Sequence, residues 1–169
     1  MRLALRIALT GTAVVASPAA AQTMDVTVTL PRQSVAEYHK PYVGIWIEGP
    51  DRKARTLAVW YDVDNAKGEG EKWLVDVRQW WRASGRTLKL PADGISGATR
   101  GPGPQKIGFT PRQLGPLAPG QYTLLVEAAR EVGGREVVRV PFAWPPKPGQ
   151  TASVAGKTEL GTVTASIRR

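Results

Sequence analysis

No cysteine occurs in this 169-residue chain, and histidine occurs once, at His39. Without thiols there is no disulfide framework, no thiolate nucleophile and no Cys-ligated zinc or iron–sulfur centre. There is also no cysteine to carry a lipid after an export signal. One histidine beside Lys40-Pro41 argues against a His-rich metal site and a Ser-His-Asp triad, and His39 reads as a surface loop residue. Long Lys/Arg runs and nucleic-acid motifs are missing too. The net charge of +9 therefore reads as a basic, soluble surface, and nucleic acid is not an expected partner.

Long apolar runs are scarce as well. The one present is Ile7 to Ala16, preceded by Arg2 and Arg6 and followed by Pro18 and Ala19-Ala20-Ala21 before Gln22. It is too short to span a bilayer. A positive start, a short apolar stretch and small residues at the end predict a secretory signal peptide over residues 1–21. The mature chain from residue 22 to 169 is then free in the exported compartment, the periplasm. Its length suits one domain, with a core over about 24–144 and a C-terminal extension over 145–169.

What is present is mostly strand signal. Residues 24–30 alternate apolar and polar. Tyr42 to Glu48 and Thr56 to Tyr61 read as a hairpin, closed by Gly49-Pro50-Asp51. Gln121 to Ala129 and Glu136 to Trp144 read as another, turned at Val132-Gly133-Gly134-Arg135. Residues 157–167 predict an edge strand. Between these, Trp73, Leu74, Val77, Trp80, Trp81 and Ser84 fall at helical spacing, which predicts a helix from about Lys72 to Ala83. Pro91 to Gly120 is rich in Gly and Pro and reads as a long irregular loop, with strand character only at Lys106 to Phe109. The pattern is mostly β: an immunoglobulin-like β-sandwich with one short helix. Val43, Ile45, Ile47, Tyr122, Leu124 and Val126, with Trp46 or Trp60, are the expected core.

Two features exceed what a sandwich needs. In Asp93 to Arg100 the glycines free the backbone, so that Ser96 and Thr99 can stand on an exposed turn. A loop threonine is a poor nucleophile without a base or an external enzyme, and the alternative is a polar turn with Asp93 bonded to its own backbone. In Trp80-Trp81, neighbouring helical side chains point about 100° apart, so both cannot enter one small core. Trp73 and Trp81 read as packing residues, and Trp80 as the candidate to stack on a planar ligand.

The string Asp93-Gly94-Ile95-Ser96-Gly97-Ala98-Thr99 resembles the flavinylation motif D-x-x-(S/T)-G-A-(T/S) of extracytoplasmic flavoproteins. The resemblance implies FMN carried as a phosphoester on Thr99 and donated from FAD by a periplasmic flavin transferase. Asp93, Ser96, Gly97 and Ala98 are then recognition residues. In classical FMN-binding domains a Thr or Ser follows the acceptor, whereas Arg100-Gly101-Pro102 follows it here. More widely, Tyr42–Glu48, Arg55–Trp60, Trp80–Gly85, Asp93–Arg100 and Pro119–Glu136 resemble a family of uncharacterised predicted periplasmic proteins. That family is met beside PepSY-type membrane proteins and flavin transferases, which implies redox work at the membrane.

Two functions follow. One is a flavin-carrying electron-transfer protein: FMN on Thr99, Trp80 or Trp81 stacked on its ring, Arg100 neutralising the phosphodiester, and the cofactor doing the redox chemistry. The other is a non-enzymatic sandwich that binds a membrane or periplasmic partner. A hydrolase is disfavoured, because no nucleophile–base pair can be named.

Overall fold

A computed structural model describes residues 22–65 and 67–168, so the expected signal segment 1–21 lies outside the described residues. Nine strands form two sheets among them: β1 (Thr23–Leu30), β2 (Tyr42–Glu48), β3 (Ala54–Tyr61), β4 (Ser96–Ala98), β5 (Gly103–Phe109), β6 (Gly120–Ala129), β7 (Arg135–Trp144), β8 (Thr151–Ala155) and β9 (Thr162–Arg168). One sheet has the order β5-β1-β9-β8, the other β4-β3-β2-β6-β7. The fold is mostly β, a sandwich of two sheets, as the strand pattern predicts.

The alternation in β1 is read directly in its burial. Met24, Val26, Val28 and Leu30 point inward, and the residues between them are partly exposed. They meet Val43, Ile45, Ile47, Tyr122, Leu124, Val126 and Trp60 in the core between the sheets. Strand β2 is buried along most of its length because its sheet is covered on both faces. Trp46, Val59, Tyr61 and Leu125 turn away from the other sheet and pack against Leu74, Val77 and Trp80. Both Trp46 and Trp60 are therefore core residues, on opposite faces.

The helix expected over 72–83 is broken in two. A 3₁₀ helix runs Glu69–Asp76 and an α-helix, α1, runs Arg78–Ala83. Val77 between them leaves helical conformation, with ψ 66°. A second short helix, α2 (Pro111–Leu114), begins with a capping box from Thr110 and Gln113.

The stretch 91–120 is not an irregular loop: it contains β4, β5 and α2. Gly and Pro are accommodated in these strands because both lie at sheet edges. Pro104 stands opposite Thr29 of β1 on an edge strand, which tolerates a missing N–H on its unpaired side. Residues 157–167 likewise hold no edge strand. Strand β9 is interior, flanked by β1 and β8, and Leu160, Val163, Ala165 and Ile167 join the core between the sheets. The edge belongs to β8.

Glu136 ties this C-terminal segment to the hairpin. Its carboxylate accepts from the backbone N–H groups of Lys157 (2.7 Å), Thr158 (2.9 Å) and Leu160 (2.9 Å). Burial alone would raise its pKa, but these bonds outweigh burial and hold it below the ordinary 4.5. A depressed carboxylate contributes stability that is present above its unfolded pKa and lost as pH falls through the folded value. Urea midpoints measured across the acid range should therefore fall more steeply for wild type than for Glu136→Gln. Parallel curves would mean that the bonds carry no net stability.

Candidate functional site

The segment Asp93 to Arg100 is a turn that feeds a strand. Gly94 takes the left-handed φ of 68°, which a side chain would strain. The N–H groups of Ile95 and Ser96 both donate to the Ala92 carbonyl, at 3.1 and 2.9 Å. Ser96 Oγ accepts from the Ala92 N–H at 3.0 Å. Ser96 thus closes the turn, while Asp93 and Gly94 stand exposed on it.

The turn is anchored from both sides. Gln113 Nε2 donates to the Gly94 carbonyl at 3.0 Å. Val59 N–H donates to the Ile95 carbonyl at 2.8 Å, and Thr99 N–H donates to the Tyr61 carbonyl at 3.2 Å. Between these two bonds Ser96, Gly97 and Ala98 run parallel to Val59, Trp60 and Tyr61. Thr99 is therefore fixed by its backbone to the edge of a buried sheet, with its side chain half-buried.

Thr99 lines a cleft of about 770 Å³, within the usual range for a small-molecule site. Tyr38, Tyr42 and Trp73 are its aromatic walls, and Lys40, Arg78, Arg130 and Arg135 its cations. Asp62, Asp76 and Glu131 also reach it, and His39 lies at its side. The imidazole is within 3.2 Å of Glu37 and 3.4 Å of Glu131. Burial raises the pKa of both Tyr38 and Tyr42, so both phenols stay neutral at physiological pH.

The expected stacking residues are elsewhere. Trp80 is fully buried, which overturns its reading as a ligand platform. Its ring lies against Gly44 and Gly85, where a Cβ would stand 2.6 and 2.7 Å from ring carbons. Its Nε1 donates to Thr56 Oγ1 at 3.0 Å. Trp81 packs half-buried on the same apolar cluster, its ring centroid 6.3 Å from that of Trp80. Trp73, expected to pack, is 59% exposed instead. The reason is the break at Val77: in the tighter 3₁₀ helix Leu74 takes the buried face and Trp73 is turned to the cleft. No 3.6-residue pattern could show this.

Arg100 does not line the cleft either. Its guanidinium carbon sits 4.0 Å from the Trp60 ring centroid, a cation–π arrangement, and Nη1 donates to the Lys106 carbonyl at 3.3 Å. Burial lowers its pKa, yet an arginine stays charged at neutral pH. The cations that do share the cleft with Thr99 lie far from it in sequence and carry no motif.

Among the described residues, no group of three or more His, Asp or Glu side chains is placed to hold a metal ion. No helix among them is long and apolar enough to cross a membrane. A family model described as "Predicted periplasmic protein (DUF2271)" matches residues 23–162. No curated protein and no solved structure matches the chain.

Proposed function

Because the chain belongs to this family of predicted periplasmic proteins, we propose that it is an exported electron-transfer protein carrying FMN as a phosphoester on Thr99. The observation that supports this most is the position of Thr99. The last residue of a seven-residue flavinylation-like string borders a cleft of fitting size, with aromatic and cationic walls.

The residues present suit the cofactor. Trp73 and Tyr42 offer flat apolar faces for a planar ring. Lys40, Arg78 and Arg135 offer positive charge for a phosphodiester. When bound, the flavin supplies the redox chemistry, and the protein supplies position and electrostatics.

Attachment needs an outside enzyme, since an unactivated threonine hydroxyl is a poor nucleophile. The Thr99 oxygen bonds the FMN phosphorus of FAD, the pyrophosphate bridge breaks, and AMP leaves. The hydroxyl proton passes to a base on the periplasmic flavin transferase, whose metal ion polarises the phosphate. The exposed turn at Asp93 and Gly94 gives that enzyme something to read. A membrane electron partner of PepSY type fits the proposal.

Intact mass tests it. Coexpression with a flavin transferase and export should add one FMN to the chain. Absence of that mass, under conditions that label a known acceptor, would turn the argument to a sandwich that binds a partner without cofactor. A second measurement tests the placement of the ring. Trp73→Ala should still be labelled, but its flavin fluorescence should rise several-fold over wild type, because a stacked indole quenches flavin emission. Unchanged fluorescence would move the ring away from Trp73.

A further inference from the structure

Arg130 follows β6 and lines the same cleft, yet the attachment of a flavin to Thr99 makes no use of it. Its side chain is only 6% exposed, as is that of its partner Glu159. Glu159 accepts from Arg130 Nε at 2.9 Å and from Nη2 at 3.1 Å, and also from the Gly134 N–H at 2.8 Å. The guanidinium is held along its Nε–Nη2 edge.

A guanidinium has five N–H donors, and this pairing uses two. Nη1 is buried and has no hydrogen-bond partner among the described residues. Burying a donor unmet is costly, and more so when it is charged. Such an atom in a folded protein calls for a bound water, ion or ligand.

The backbone nearby is built around this ion pair. A Cβ on Gly133 would collide with Arg130 Cζ, and one on Gly134 would lie 2.8 Å from Glu159 Oε1. The two glycines let the β6–β7 turn lie directly over the pair. Between Glu131 and Gly133, Val132 is 84% exposed and holds a φ of 52°. That left-handed conformation is strained for a β-branched residue, and such strain concentrates at binding sites. Residues 131–134 all line the cleft. A strained tip, a glycine cover and an orphaned cationic donor thus meet on one wall.

We propose that Arg130 is the oxyanion-recognition residue of the cleft, its Nη1 edge taking a carboxylate or phosphate group of a soluble ligand when the 131–134 tip lifts. The free end of the guanidinium offers N–H groups from Nη1 and Nη2 at the spacing of two oxygens on one such group. Glu159 is a positioning residue: it fixes the plane of the fork and balances its charge while the site is empty of anion. The site needs no covalent cofactor, so its failure would leave the flavin proposal standing, and the reverse also holds.

The test uses the exported chain made without a flavin transferase. It is titrated with inorganic phosphate and, separately, with acetate, against chloride at matched ionic strength. Readouts are the ¹⁵N resonance of Arg130 Nε in wild type and, in both proteins, the backbone amide resonances of Glu131 to Gly134. At least one oxyanion should bind saturably, and Arg130→Lys, which keeps the charge but not the fork, should weaken it roughly tenfold or more. Phosphate alone would assign a phosphorylated ligand, acetate alone a carboxylate. Equal affinity in the variant and wild type would overturn the proposal. Should the variant not fold, the wild-type titration decides: an Arg130 response to phosphate or acetate that chloride does not match supports it. A response no different from that to chloride refutes it.

Discussion

Thr99→Ala should carry no flavin at all after coexpression with a flavin transferase, while folding as wild type does. The reaction needs a hydroxyl oxygen, and alanine has none. The fold should be indifferent, because the contact that fixes Thr99 is its backbone N–H to the Tyr61 carbonyl, which alanine keeps. Half-buried edge positions of this kind lose little on truncation. Thr99→Ser keeps the oxygen and should retain part of the labelling. Asp93→Ala should lower it if the transferase reads the exposed turn. Ser96→Ala should act differently, since Ser96 Oγ closes the turn by accepting from Ala92 N–H. It should loosen the turn as well as weaken labelling, visible as faster amide exchange at Ala92. Intact mass and in-gel flavin fluorescence read all four variants. Flavin on Thr99→Ala would show that the acceptor lies elsewhere, even if the protein class is right.

The sandwich was legible because β1, β2, β3, β6 and β7 announce themselves in different ways. Strand β1 alternates, since one of its faces is covered. Strand β2 is nearly all apolar, since both of its faces are. Where the reading failed, the pairing context was invisible in one chain. Gly103 and Pro104 look like loop residues until β1 is seen beside them. Thr162 to Arg168 looks like an edge until β8, which carried only a short alternation, closes on its other side. The site divides in the same way. The string ending at Thr99 is local, so it could be read. The cleft facing it draws Trp73 from a 3₁₀ helix and Arg130 from the end of β6, and only the fold brings them to one place. Trp73 and Trp80 exchange the roles that one continuous helix would give them, because the break at Val77 turns Trp73 to the cleft and leaves Trp80 fully buried.

That correction has its own test, in stability rather than in flavin binding. Trp80→Ala should cost ~3–5 kcal/mol, the usual range for removing a fully buried aromatic, and should leave flavin incorporation at Thr99 intact. The cavity cannot easily collapse, because Gly44 and Gly85 line it with bare backbone and offer no side chain to fill it. Removal also takes the indole donor from Thr56 Oγ1, which is left with Ser84 Oγ at 2.6 Å as its partner. The same tryptophan is held at its backbone by Glu127, a fully buried carboxylate of β6. Glu127 accepts from the N–H groups of Gln79 (3.1 Å) and Trp80 (2.7 Å) and from Arg135 Nη1 (2.8 Å). Those two N–H groups lie in the first turn of α1, where no intrahelical acceptor exists, so a strand residue caps the helix. Glu127→Ala leaves both N–H groups unmet and should cost ~1–3 kcal/mol; Arg135, 40% exposed, is left to solvent. Both substitutions detach the same short helix from the sheet. The double variant should therefore lose clearly less than the sum of the two, a coupling that distant, independent sites do not show. Urea unfolding of the four proteins measures it. Additive losses would mean that Glu127 and Trp80 hold separate parts of the fold. A loss below ~1 kcal/mol for Trp80→Ala, with altered flavin absorbance, would restore Trp80 as a cofactor contact.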